Sequence, residues 1–90
     1  MKQLKLSRKE KREIVKLYND DFYDDMIQQY FNLKHHDFYE KVFEETCSDY
    51  GITKEQYENE NDLGIDYGDF SLDFMYNLLI QSGVDLQMNY

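Results

Sequence analysis

No proline occurs anywhere in this chain of 90 residues, and no glycine precedes Gly51. A first half without either breaker most readily folds as helix. Periodicity agrees. Ser7-x-x-Glu10 is a capping box that predicts a first helix starting at Ser7, with Ile14, Val15, Leu17 and Tyr18 on its apolar side. Asn19-Asp20-Asp21 predicts its stop and a new N-cap, a continuous bent helix being the alternative. Phe22, Tyr23, Met26, Ile27, Tyr30 and Phe31 then form one stripe at helical period. A third helix is predicted from Asp37, with Glu40 completing its box and Phe38, Tyr39, Val42, Phe43, Thr46, Cys47 and Tyr50 as its stripe. Gly51 stands where a left-handed residue ends a helix.

Thr53-x-x-Gln56 predicts a short fourth helix, with Ile52 and Tyr57 spaced as a hydrophobic staple. The stretch Glu58–Asp69 reads as a loop. A fifth helix is expected from about Ser71 to Ser82, with Ser71 as N-cap, Leu72, Phe74, Met75, Leu78 and Leu79 on its apolar side, and Gly83 ending it. The expected fold is mainly α: a single domain over residues 1–90, in four to five short helices. Alternation at Leu4 and Leu6, and at Val84, Leu86 and Met88, admits a small two-stranded sheet formed by the termini.

A chain this short folds as one domain and buries a modest core. No apolar run approaches the roughly 20 residues that span a bilayer. The first residues, MKQLKLSRKEKREIV, lack the apolar stretch of a signal peptide, so the expected location is the cytoplasm of a bacterial host cell. One cysteine, Cys47, excludes an internal disulfide, and its place on an apolar stripe predicts a buried thiol.

The loop ENENDLGIDYGD, residues 58–69, holds five carboxylates, two amides and two glycines. An EF-hand needs oxygen ligands at fixed positions and glycine at the sixth. With Gly64 sixth, Leu63 takes a ligand position and Phe70 the last one; with Gly68 sixth, Leu63 takes the first. Both registers fail. Asp62-Leu63-Gly64 and Ser71-Leu72-Asp73 resemble the serine motif of acyl carrier proteins, but Gly64 and Ser71 stand seven positions apart, too far for that motif. His35 and His36 are adjacent and do not share a helix face, so with Asp37, Glu40 and Cys47 they make no zinc pattern. No metal, cofactor or catalytic arrangement is implied, and the expectation is a non-enzymatic protein.

Charge carries the functional reading. Residues 1–16 hold seven Lys or Arg against two Glu, whereas residues 17–90 hold three Lys against seventeen Asp or Glu, which together give the net −9. A body this acidic repels phosphates, so no direct nucleic acid binding is expected; basic surfaces are its natural partners. Solubility is the plainer account of such a charge. Yet Asp20 and Asp24, Asp21 and Asp25, Glu40 and Glu44, and Glu45 and Asp49 fall at i,i+4, where like charges cost a helix about 0.2–0.5 kcal/mol per pair. Only Asp37 with Lys41 offers evident relief. Carboxylates so spaced make a row of negative charge like that of a nucleic-acid strand. Nine of the fifteen aromatics are tyrosines, several within three residues of an acid; tyrosine is enriched at interfaces.

This profile resembles the small acidic inhibitors of phages and mobile elements: DNA-mimic antirestriction proteins, uracil-DNA glycosylase inhibitors and anti-CRISPR proteins. The resemblance is of type, with no motif aligned. It implies stoichiometric blocking of the basic nucleic-acid site of a host nuclease or CRISPR effector. The residues expected to meet that partner are Asp20, Asp21, Asp24, Asp25, Glu40, Glu44, Glu45, Glu58, Glu60, Asp62, Asp66 and Asp69, with Tyr23 and Tyr67. The basic stretch SRKEKREIVKLY resembles the first helix of helix-turn-helix domains in transposases and regulators, but the acidic NDDFYDDMIQQYF follows where a basic recognition helix belongs. It is expected to pack against, or counterbalance, the acidic body. The alternative function is a small adaptor or transcription regulator that uses this basic helix.

Overall fold

The computed structural model describes residues 4–21, 24–60 and 62–90, the side chain of Asp21 excepted. Five helices follow in order: α1 (Arg8–Asp21), α2 (Asp24–Lys34), α3 (His36–Asp49), α4 (Lys54–Asn59) and α5 (Tyr67–Gln81). Helices α2, α3 and α5 pack against one another, α1 leans on α2, and α4 on α3. The core between them is Ile14, Ile27, Phe31, Val42, Phe43, Cys47, Phe70, Phe74, Met75, Leu78 and Leu79, joined by Leu6 and Val84 from the two ends of the chain.

Local signals place most boundaries. Ser7 and Glu10 close the predicted box: Glu10 N–H donates to Ser7 Oγ at 3.1 Å and Ser7 N–H to Glu10 Oε1 at 3.1 Å. The same reciprocal pair joins Thr53 and Gln56 at the start of α4. Gly51 has φ 72° and Gly83 φ 73°. At each the two bonds of a Schellman motif form, Ile52 N–H to Cys47 O with Gly51 N–H to Ser48 O, and Val84 N–H to Leu79 O with Gly83 N–H to Ile80 O.

Other boundaries differ from expectation. Helix α1 continues through Asn19 and Asp20 to Asp21. Helix α3 begins one residue before Asp37, with His35 at its N-cap and no side-chain cap bond, because the His35 ring is turned to Glu10. Helix α5 begins at Tyr67 rather than Ser71. Asp66 caps it, its Oδ1 accepting from Gly68 N–H at 2.9 Å and Asp69 N–H at 3.2 Å. Ser71 is therefore mid-helix, where its hydroxyl donates to Asp24. Met26 and Leu72, expected on apolar faces, are exposed. Phe22 and Tyr23 lie outside the described residues.

No strand occurs among the described residues. The tail instead closes on itself, with Met88 N–H donating to Asp85 O at 3.1 Å and Gln87 N–H to Asp85 Oδ1 at 2.9 Å. This local turn satisfies main-chain groups that a ladder would have used. The ends do meet, through side chains: Arg8 Nε and Arg12 Nη2 donate to the main-chain oxygen of Tyr90 at 3.2 and 2.7 Å.

A polar seam orders the α3–α5 pair. Gln81 donates to Glu45 at 3.1 Å, Asn77 to Thr46 at 3.0 Å, and the Tyr50 hydroxyl to Asp73 at 2.5 Å. Partners that rise along α3 and fall along α5 make the two helices antiparallel.

Candidate functional site

Three tyrosines from three elements share one aromatic floor. Tyr57 on α4 stacks on Phe70 at 4.7 Å between centroids, Tyr50 past the end of α3 meets Phe70 at 5.2 Å, and Tyr67 in the first turn of α5 meets Tyr57 at 5.7 Å. Phe43 closes the floor from below, edge-on to Tyr57 at 5.1 Å and to Phe70 at 5.7 Å. Phe70 is buried whereas Tyr67 is 41% exposed, so the cluster runs from core to surface.

Carboxylates border this surface. Asp66 caps α5, and Asp69 and Asp73 follow at i+3 and i+7 on the same face. All three are exposed. Asp66 and Asp69 also favour the positive N-terminal end of α5; Asp73, beyond the first turn, has no such role. Its bond from Tyr50 is the main reason the Tyr50 hydroxyl is pushed up to about 12, with burial and the charges of Asp73, Asp69 and Asp66 adding to it. Burial, then Tyr67, Cys47 and the charge of Asp25, raises Tyr57. Asp25 itself is exposed at the start of α2.

A second acidic group surrounds one lysine. Lys54 Nζ donates to Glu40, and that bond raises the lysine, burial opposing it and the charges of Glu40, Glu58 and Glu44 adding to it. Glu58, expected in the loop, lies in the last turn of α4 and adds its charge to those of Glu40 and Glu44 from α3. Beside them a groove is lined by Glu44, Ser48, Ile52, Thr53, Lys54 and Glu55. Cys47 lies beneath: burial first, then Glu44 and Glu58, pushes its thiol up, so it is a poor nucleophile.

The remaining expected residues go elsewhere. Asp24 accepts from Ser71, whose oxygens take the Gln28 amide at 2.9 Å, so it ties α2 to α5. Glu45 accepts from Gln81 through Oε2; Lys41 Nζ stands 3.5 Å from Oε1, an ion-pair contact without hydrogen-bond geometry. Lys41 thus pairs with Glu45 and not with Asp37. Asp20 is exposed at a groove with Glu13, Lys16, Leu17 and Tyr30. It lies on α1 whereas Asp24 lies on α2, so no single helix face carries both. Glu60 and Asp62 are exposed in the α4–α5 connection. Tyr23 and the Asp21 side chain lie outside the described residues.

Sequence reading had omitted Tyr50, Tyr57 and Asp73 from the site. The signal for Asp73 was available, since Asp66-x-x-Asp69-x-x-x-Asp73 is a one-face spacing once Asp66 is read as a cap. Tyr50 and Tyr57 needed the packing of α4 on α3. His36 Nδ1 meets Asn32 Oδ1 at 2.8 Å, and Nε2 stands 3.8 Å from Glu40. Among the described residues, no group of three or more His, Cys, Asp or Glu is placed to hold a metal ion. No described helix is long and apolar enough to cross a membrane.

The basic head packs against this body through α1, with Ile14 in the core. Among the described residues four ion pairs form, on His35, His36, Lys41 and Lys54, and none uses a Lys or Arg of residues 4–21. Polar contacts of the head with the body include Glu10 to His35 at 2.6 Å and Glu13 from the Tyr30 hydroxyl at 3.5 Å. Comparison with protein-family models, curated proteins and solved structures finds no match for this chain.

Proposed function

We propose that this chain is a non-enzymatic inhibitor whose acidic tyrosine surface occupies the basic nucleic-acid-binding site of a host defence nuclease or DNA-processing protein, as DNA mimics of the antirestriction and anti-CRISPR type do. One observation carries the reading. Asp66, Asp69 and Asp73 stand exposed in a row beside Tyr50, Tyr57 and Tyr67, with no ion pair to any of the three among the described residues. Such a row offers Lys and Arg side chains charge-assisted bonds, and the tyrosine faces offer them cation–π contact. A basic channel that binds phosphates meets similar chemistry here. Glu40, Glu44 and Glu58 extend the negative field beyond this row.

The test is capture from bacterial lysate on the immobilised chain. A nucleic-acid-binding protein that is retained at low salt, lost at high salt and displaced by duplex DNA supports the reading. Retention that DNA cannot displace counts against it.

The adaptor reading has its own observation. Leu72, Tyr76 and Ile80 are 37%, 38% and 72% exposed at i, i+4 and i+8 along α5. A partner held there would be insensitive to salt, and changing Ile80 to Glu would release it.

A further inference from the structure

The cations of α1 form a stripe that makes no ion pair among the described residues, although Asp20 stands at i+4 from Lys16 on the same helix. Arg8, Arg12 and Lys16 fall at i, i+4 and i+8, so they share one helix face. All three are exposed, as are Lys5 and Lys9 nearby. No ion pair among the described residues includes any of them. What Arg8 and Arg12 do hold is an oxygen: Arg8 Nε at 3.2 Å, Arg12 Nε at 3.2 Å and Arg12 Nη2 at 2.7 Å converge on the Tyr90 main-chain oxygen. Lys11 Nζ lies over the Tyr90 ring, 5.5 Å from its centroid. The stripe therefore already engages, within the chain, the two chemistries of the acidic surface, an oxygen acceptor and a tyrosine face.

We infer that the Arg8–Arg12–Lys16 stripe docks on the Asp66–Asp69–Asp73 row of a second copy of this chain, so that copies associate head to tail. The two rows match in register. At 1.5 Å per residue the cations span about 12 Å and the carboxylates about 10 Å. Both rows ride on helices, and three opposed pairs form when the helices cross at a small angle. Within one chain no ion pair joins the two rows among the described residues, so the match is met between copies. The contact is heterologous: each copy presents one stripe and one acidic row, and neither face is consumed at both ends. It rests on the reading of the acidic tyrosine surface as a docking site for basic groups. It adds regulation to that site, because a copy bound there excludes the target.

Sedimentation velocity tests this with four samples: the unaltered chain, Arg8→Gln/Arg12→Gln/Lys16→Gln, Asp66→Asn/Asp69→Asn/Asp73→Asn, and an equimolar mixture of the two variants. At low salt the unaltered chain should sediment faster as concentration rises, and should return to monomer at about 0.5 M salt, where the Debye length falls to a few ångströms. Each variant alone should stay monomeric. The mixture should form dimers and nothing larger, because each mixed pair has one intact stripe and one intact row. That dimer also shows that both variants are folded. An unaltered chain that is monomeric throughout overturns the inference, and so does association of either variant alone. A third result overturns it too: the aspartate variant, stripe intact, binding a duplex DNA oligonucleotide more tightly than it binds the arginine variant, which would make the stripe a phosphate surface. Head-to-tail association with no DNA-displaceable capture from lysate would leave this inference standing and remove the proposed target. Capture without association would do the reverse.

Discussion

His35 Nε2 lies 2.6 Å from Glu10 Oε2 and ties the first turn of α1 to the N-cap of α3. The other oxygen of the same carboxylate accepts the Ser7 N–H. One side chain thus closes a helix cap and a tertiary contact together. The His35 bond, followed by the Ser7 N–H, holds the Glu10 carboxyl below its usual range. A depressed carboxylate contributes stability above its ordinary value and loses it as pH falls through the lowered one.

Replacing Glu10 by Gln keeps a capping-box acceptor and removes the charge. Denaturant unfolding should then show a loss of about 0.5–1 kcal/mol near neutral pH. The difference from the unaltered chain should shrink as pH drops below the carboxylate range. A difference that stays constant across that range would assign the effect to packing.

Tyr50 and Tyr30 should titrate late. The Asp73 bond leads the causes for Tyr50, and burial leads for Tyr30, ahead of the charges of Glu13 and Glu10; both hydroxyls are pushed up to about 12. A raised tyrosine contributes stability below its ordinary value and loses it as pH rises through the higher one. Ultraviolet titration should therefore show tyrosinate appearing in the folded protein above the usual range, with Asp73→Asn moving one step of it downward. An unchanged curve in that variant would mean that the bond is absent in solution.

Phe70 is the keystone of the tyrosine surface. Its ring is in contact with Phe43, Tyr50, Tyr57 and Phe74. Phe70→Ala should cost about 3–5 kcal/mol by denaturant midpoint. That is a large share of the stability of a domain this small. Phe70→Leu should cost less and keep the α4 contact.

The Gly51 turn carries a backbone cost that is free of packing. An added Cβ at φ 72° meets nothing within 4 Å. Gly51→Ala should therefore cost about 1–2 kcal/mol, from the left-handed conformation alone, and Gly51→Asn less. Equal losses for both would point to a contact rather than to φ.

Helix ends written by short-range chemistry were legible. Ser7 with Glu10, Thr53 with Gln56, Gly51 and Gly83 each act on residues within one turn, and each is found in its predicted role. The start of α5 was misread because Gly64, Asp66 and Gly68 look like loop composition, while Asp66 in fact caps a helix through that composition. The acidic pattern was the least legible part. Repulsion was counted along single helices, yet the partners of Asp24, Glu40 and Glu45 come from α5 and α4, more than ten residues away in the chain. Among the acids with no ion pair in the described residues are Asp66, Asp69 and Asp73, the last accepting from the Tyr50 hydroxyl. The basic head was expected to pack against, or counterbalance, the body; α1 does pack on α2, while Arg8, Arg12 and Lys11 meet Tyr90 of the tail.

The acidic tyrosine surface is proposed to recognise a basic nucleic-acid site. The most direct measurement compares lysate capture by the unaltered chain with capture by Asp66→Asn/Asp69→Asn/Asp73→Asn, at low salt and with duplex DNA as competitor. Asn keeps the α5 cap and an acceptor for Tyr50, so circular dichroism should match between the two. The account predicts that a DNA-displaceable, nucleic-acid-binding protein is retained by the first and lost by the second. Equal retention of that protein by both would contradict it.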